Sequence, residues 1–448
     1  MPEHQQAQQW RAALAAWNRG DAAGAAALAA QVATAAPGRF EPLHLLGSAL
    51  LQQGRYAAAA DALQRALQLQ PGNPEASHAL GSACLGLGDT AGACRALFAA
   101  TTQANTAGDS WFKLGIALGR EQRWPAAAAA LLRAARLQPN HAEAMMGLAQ
   151  CAQQLVQRGE SAPPRPRPAL APGLISFVVC SITPAKIGRL RARLEQLLAD
   201  EPWELVLIDD ARSLCEGYNR GVAASRGELL VLCHDDILLL AEDFPARLRA
   251  GLARYELLGV AGGTRASGPT WGWAGPPHAH CWVAHRDDAG RGLMLLLGSQ
   301  GATVDGALLM DGVFIAGHRR VFEQLPFDAQ TFDGFHFYDL DLSWRAAQAG
   351  FRCGLCLDLG LLHESKGDYN PVYWEFARKF TAKFPALHSE TPPAQRLGQL
   401  ALAEDAELVP IQDWLAHWTA LPDATLEQQV RASVAAAAPA ATAKECPT

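Results

Sequence analysis

Glu228-Leu-Leu-Val-Leu-Cys-His-Asp-Asp-Ile-Leu238 ends an apolar run of strand length in a histidine and two adjacent carboxylates. So greasy a run predicts a strand buried on both faces of a parallel sheet, although periodicity alone also admits a buried helix. On the strand reading, Asp235 and Asp236 sit at a carboxyl end, where open α/β sheets take their ligands. Two such carboxylates repel unless a positive group lies with them, and a divalent metal holding a phosphorylated substrate fits that need. A turn or a helix cap is the plainer alternative for an isolated Asp-Asp pair. The flanking pattern bears on the choice. Leu174-Ile-Ser-Phe-Val-Val-Cys180 predicts a strand, a helix follows over 186–199, and Glu204-Leu-Val-Leu-Ile208 predicts a strand ending in Asp209-Asp210. Tyr218-Asn-Arg-Gly221 and a short helix lead into the quoted strand. Strands alternating with helices mean βαβ units, and their polar ends converge on one edge, where a nucleotide would lie.

At 448 residues the chain is expected to hold two or more domains. Half of it is hydrophobic and 18% is charged, a globular composition. The net charge of −6 and the absence of a basic half give nucleic acid nothing to grip. Met1-Pro-Glu-His-Gln-Gln has no basic segment leading into an apolar core, so no secretory signal is expected. No run of about 18 apolar residues predicts a membrane span. The ten cysteines are scattered, and those inside apolar runs, such as Cys180 and Cys233, read as small buried hydrophobes in a reducing, cytoplasmic setting. Cys353-Gly-Leu-Cys356 is a lone CxxC in a stretch that reads as a strand.

The first third repeats. Gly47, Gly81 and Gly115 recur at a period of 34, as do Ala66, Ala100 and Ala134. Within each period apolar residues recur at helical spacing, broken by a turn such as Gln53-Gly-Arg55 or Leu87-Gly-Asp89. Small residues at fixed positions let paired helices approach closely, and proline ends the second helix of a unit. A helix–turn–helix unit of this length, with Leu43-His-Leu-Leu-Gly47, Tyr56 and Ala59, resembles the tetratricopeptide repeat. Four repeats are expected, over 6–39, 40–73, 74–107 and 108–141, with a helix over 142–157 capping the α-solenoid. The resemblance implies a concave face for a protein partner; the alternative is that the array only helps its neighbour fold or dimerise. The first domain is thus expected over 1–160. Ser161-Ala-Pro-Pro-Arg-Pro-Arg-Pro-Ala-Leu-Ala-Pro-Gly173 reads as a stiff, extended linker to a domain over 174–385.

The order of motifs over 174–385 resembles a family-2-type glycosyltransferase of the GT-A fold, in the branch whose fourth-strand motif reads His-x-Asp. The resemblance implies a nucleotide-sugar donor, a protein or glycan acceptor, and Mn2+ or Mg2+. It assigns Cys180, Ser181 and Thr183 to the nucleotide, Asp209 or Asp210 to its base, and Asn219 and Gly221 to the sugar-nucleotide. His234 and Asp235 fall where the ribose and cation bind, and Asp236 where the cation is coordinated directly. His363, in Leu357-Asp-Leu-Gly-Leu-Leu-His-Glu-Ser-Lys-Gly367, completes the metal or diphosphate site, with Ser365 and Lys366 near the phosphates. Asp311 and Gly312 open the acceptor-side strand. Asp339 falls on the general base, preceded by Tyr338 where many relatives have Glu, and Asp341 would orient the loop or bind an arginine. Capping of the following helix is the plainer reading of both aspartates.

Trp271 and Trp273, in a glycine-rich stretch, are candidates to stack on an acceptor sugar or to fill a lid. Helices are expected near 394–403 and 411–418, within an extension over 386–434, and a disordered tail from about Ala435. The implied reaction is a single displacement with inversion, one base and no nucleophile. Its rivals are an interaction scaffold with a dead GT-A domain, and a nucleotidyltransferase, for which Ser181-Ile-Thr-Pro-Ala-Lys186 lacks a glycine-rich basic loop.

Overall fold

The computed structural model describes residues 3–103, 108–139, 141–167, 169–298, 301–365, 370–387 and 398–436. Eight helices come first, in antiparallel pairs two to each expected repeat: α1 (Glu3–Asn18), α2 (Ala22–Ala35), α3 (Phe40–Gln52), α4 (Tyr56–Leu69), α5 (Pro74–Leu87), α6 (Thr90–Gln103), α7 (Gly108–Arg120) and α8 (Trp124–Leu137). The glycine period has the cause expected of it. A Cβ on Gly47 would lie 2.4 Å from Leu63 Cγ, one on Gly81 2.4 Å from Leu97 Cγ, and one on Gly115 2.6 Å from Leu131 Cγ. Each glycine therefore admits the leucine of its partner helix, while Ala66, Ala100 and Ala134 are buried.

The chain divides into two compact units, one formed by residues up to Gln138 and again from Leu421, the other by Pro139–Ala420. This division does not coincide with the proline-rich stretch. Residues 161–167 and 169–173 lie within the second unit as an extended strap, held by Arg165 to Asp358 and by Arg167 to Asp243 at 2.7 Å. The second unit also takes α9 (Ala142–Gln157), the helix expected to cap the repeats.

In chain order there follow β1 (Ile175–Cys180), α10 (Pro184–Leu197), β2 (Trp203–Ile208), α11 (Leu214–Ala224), β3 (Leu229–Cys233) and β4 (Ile237–Leu239). Then come α12 (Phe244–Arg254), β5 (Leu257–Gly259), β6 (Ala261–Gly263), β7 (Ala279–Cys281), β8 (Ala284–Arg286), β9 (Gly292–Leu296), β10 (Thr303–Asp305), β11 (Leu309–Met310) and β12 (Phe314–His318). The unit ends in α13 (Arg319–Gln324), α14 (Tyr338–Gln348), β13 (Cys353–Cys356), β14 (Leu361–His363), α15 (Pro371–Lys383), β15 (Gly398–Ala401) and α16 (Leu408–Thr419).

The main sheet runs β10-β13-β5-β12-β3-β1-β2. β1 pairs in parallel with β2 and β3, as the βαβ pattern predicts. The sheet is mixed rather than wholly parallel, because β12 runs antiparallel between β3 and β5. The strand ending in the His-Asp-Asp motif is the third in the chain. It is buried throughout, as its unbroken apolar run requires. A second sheet, β15-β9-β8-β14-β4, does the positioning. β14 lies antiparallel to β4 with His363 opposite Ile237, which delivers His363 beside Asp236.

Beyond the matched motifs, residues 398–401 form strand β15 against β9 where a helix was expected, residues 394–397 lie outside the described residues, and α16 fulfils the second helical expectation. The final described helix, α17 (Asp423–Ala436), returns to the first unit, where Arg133 pairs with Asp423 and with Glu427 at 3.1 Å. Within that unit α17 lies against α8. The tail beyond Ala436 lies outside the described residues.

Candidate active site and cation site

Just past β3, His234, Asp235 and Asp236 leave the apolar core as one polar cluster. Asp235 accepts a 2.5 Å hydrogen bond from Ser181 Oγ, and the same Ser181 oxygen accepts from the Thr183 N–H at 3.0 Å. Lys186, in the first turn of α10, places its ammonium 3.3 Å from Asp235 and 3.2 Å from Asp236. Burial opposes that charge, yet the two carboxylates raise the Lys186 pKa. His363 Nε2 lies 3.2 Å from the other oxygen of Asp236. Burial works to raise the Asp236 carboxyl, but His363 and Lys186 hold it well below the usual range.

His234 completes the cluster, its Nδ1 3.2 Å from His363 Nε2. Ligand atoms of His234, Asp236 and His363 all lie within 4.8 Å of one another. Separations near 3 Å are what a cation bonded at about 2.1 Å demands of adjacent ligands. Two imidazole nitrogens and one carboxylate oxygen suit Mn2+ better than Mg2+, which prefers oxygen alone. The residues present fit a divalent cation. Ser365 and His285 stand behind it, with Ser365 Oγ 3.0 Å from His363 Nε2 and His285 Nδ1 3.3 Å from the Ser365 carbonyl.

The acceptor-side candidates assemble at the other end of a hydrogen-bond chain. His234 Nε2 is 3.1 Å from the Tyr338 hydroxyl, which donates to the Gly312 carbonyl at 2.8 Å. A Cβ on Gly312 would fall 2.2 Å from that hydroxyl and 2.9 Å from Asp339 Oδ2, so only glycine fits between them. Burial, reinforced by the charge of Asp311, lifts the Asp339 carboxyl to about 7. Asp311 is itself oriented, accepting from Trp271 Nε1 and from the Val313 N–H, both at 3.0 Å. The turn presenting Asp339 is strained: Phe337 sits at φ 67, ψ 2, a left-handed conformation that costs a non-glycine residue about 1–2 kcal/mol. Packing of Phe337 against Tyr373 and Phe380 over-determines it.

Asp341 does not face this cluster. It is buried and bound by Arg345 at 2.7 Å and Lys383 at 2.6 Å. Asn219 clamps backbone, its amide exchanging two hydrogen bonds with Phe327. Gly221 serves packing, since a Cβ there would meet Val178 Cγ1 at 2.1 Å. Cys180 lies at the end of β1, its thiol pushed up to about 12 chiefly by burial. Asp209 and Asp210 are exposed at the end of β2, and Asp210 is held by Arg220 at 2.5 Å. Trp273 is half-buried, its ring over Gly268, and Lys366 lies outside the described residues. Cys353 and Cys356 are free and buried in β13. Sequence reasoning gave no role to Lys186 or His285 at the cation site; a lysine two residues past a Thr-Pro helix start was the one available signal for the former.

Residues 176–364 match the glycosyltransferase-like family, and residues 44–109 and 112–159 match the tetratricopeptide repeat. No curated protein matches the chain. Among solved structures, the chain is similar to a MamA protein at 22% identity and TM-score 0.33, over 34% of this chain and 84% of that one. MamA from Desulfovibrio magneticus RS-1 gives 22% and 0.32 over 35% and 86%, and YrrB, described as a TPR protein with an unusual peptide-binding site, 17% and 0.32 over 34% and 77%. The chain joins helical repeats that match the tetratricopeptide repeat to a mixed α/β domain that matches the glycosyltransferase-like family.

Proposed function

We propose that the second unit transfers a sugar from a nucleotide-sugar to an acceptor hydroxyl, with inversion, using a divalent cation held by His234, Asp236 and His363. The observation that supports this reading is the hydrogen-bonded continuity from His363 through His234 and Tyr338 to Gly312, beside Asp339. Carboxylates separated in sequence thereby share one rim of the sheet. When bound, the cation would offset charge gathering on the departing nucleoside diphosphate. Ser181 and Lys186 orient Asp235 and Asp236 for that task. With its pKa near 7, Asp339 is partly ionised at neutral pH and basic enough to take the acceptor's proton. Asp311 keeps that basicity high, and Trp271 fixes Asp311. Trp271 thus works through Asp311, while Trp273 remains the candidate for an acceptor sugar.

The repeats, in this reading, recruit the acceptor or a partner protein. Their cavity of about 630 Å3 is lined by residues including Trp17, His44, His78, Asp109 and Lys113. No helix among the described residues is long and apolar enough to cross a membrane. A panel of nucleotide-sugars with Mn2+, scored for turnover, tests the proposal. Turnover that vanishes in Asp236→Asn and in Asp339→Asn is expected. Silence and no nucleotide binding across the panel would leave the scaffold reading in its place.

A further inference from the structure

Tyr338 stands where the wider family's motif has glutamate, and its hydroxyl meets the Gly312 carbonyl, the His234 ring and the Tyr218 hydroxyl. Gly312 offers a carbonyl, which can only accept, so the single phenolic proton is committed to it at 2.8 Å. What remains on the Tyr338 oxygen is lone pairs. His234 Nε2, 3.1 Å away, can bond to that oxygen only by donating, so it must carry the imidazole proton. The other ring nitrogen, Nδ1, is then left with its lone pair, and Nδ1 is the atom that points into the cluster with His363 and Asp236. We propose that Tyr338 is a positioning residue that fixes His234 in the Nε2–H form, so that Nδ1 is ready to ligate a divalent cation.

Three features make the arrangement rigid. The Tyr338 ring packs against both Tyr218 and Phe327, at centroid distances of 5.4 and 6.2 Å, and those two rings touch each other at 5.5 Å. Its hydroxyl is fully committed, and Gly312 has no side chain because that hydroxyl occupies the space where one would be. His363 is treated differently. Its Nε2 lies 3.2 Å from the acceptor-only Asp236 carboxylate and 3.2 Å from the bare His234 Nδ1, both of which call for a proton on it, while the Ser365 hydroxyl at 3.0 Å bonds in either sense. A cation would therefore find one histidine already set and one that must first release or move its proton. Tyr338 is also joined to the acceptor side, because Gly312 and Asp339 follow its position. One hydroxyl thus registers the cation ligand against the proposed base. The inference rests on the cation site proposed above, and its test is built to fail separately.

The measurement is a long-range proton–nitrogen correlation spectrum of the full-length chain, labelled with 15N at histidine and free of metal. His234 is assigned by the signals lost in His234→Gln. A protonated Nε2 and a bare Nδ1 are expected, and a proton on Nδ1 would overturn the proposal without recourse to any variant. In Tyr338→Phe, which keeps the ring and removes the hydroxyl, that preference should be lost and the dissociation constant for Mn2+ alone should rise about 10- to 100-fold, the usual effect of removing a partner behind a metal ligand. Unchanged tautomer and unchanged Mn2+ affinity in that variant would also overturn it. A wild-type chain that binds no Mn2+ refutes the cation site, while the tautomer signal still decides the role of Tyr338.

Discussion

Replacing Asp339 by asparagine should make the protein more stable and catalytically silent at once, and the size of the gain depends on pH. An unfolded chain ionises this carboxyl near 3.8, whereas the folded one holds the proton up to about 7. Between those values the unfolded state has lost a proton that the native state retains, so wild-type stability falls as pH rises through this window. At about 1.36 kcal/mol per pH unit the loss levels off above pH 7 at a ceiling of about 4 kcal/mol. The partial openness of Asp339 to solvent reduces the realised value. Asparagine matches the neutral acid in shape and never ionises. Urea unfolding of wild type and Asp339→Asn at pH 4 and pH 8 isolates the effect, since every other titrating group cancels to first order. The two should be nearly equal at pH 4, and the variant should lead by about 2–4 kcal/mol at pH 8. A lead that is constant with pH, or that shrinks as pH rises, would refute the claim that burial beside Asp311 strains this carboxylate.

The same carboxyl should impose a rise in kcat/KM through about pH 7, read with saturating Mn2+, and a flat profile would remove Asp339 as the base. Gly312→Ala should cost about 1–3 kcal/mol by melting and abolish transfer, because its methyl would displace the Tyr338 hydroxyl; normal stability with normal turnover would contradict the geometry. Gly81→Ala pushes a methyl to 2.4 Å from Leu97 Cγ and should destabilise the repeats by about 1–3 kcal/mol, less about 1 kcal/mol gained in helix propensity. Asp423→Ala leaves the buried Arg133 with Glu427 alone and should lower the stability of the first unit by about 1–2 kcal/mol without altering nucleotide binding.

What the sequence made legible was local or strictly periodic. The recurrence of glycine revealed the repeats because each instance meets a leucine at the same place on its partner helix. The apolar run of β3 announced its own burial, and the alternation around it announced parallel pairing with β1. The direction of β12 left no such mark, since a buried strand reads the same in either orientation. β15 was missed for a related reason: a few residues borrow their strand character from pairing with β9. At the site, motif order nominated His234, Asp236, His363 and Asp339 as candidates, but not their neighbours. Lys186 reaches the carboxylates from a helix start, and Asn219 clamps backbone through a contact with Phe327 far along the chain. Such roles exist only once the fold has closed.

The first unit is made from both ends of the chain, with α17 laid on α8 after the whole second unit has intervened. Vectorial synthesis therefore exposes an alanine-rich flank that must wait for a segment translated after the second unit. A stop codon placed after Ala420 would spare every residue of the transferase cluster yet strand Arg133 without its acidic partners. Damage at one terminus would in this way be felt at the other.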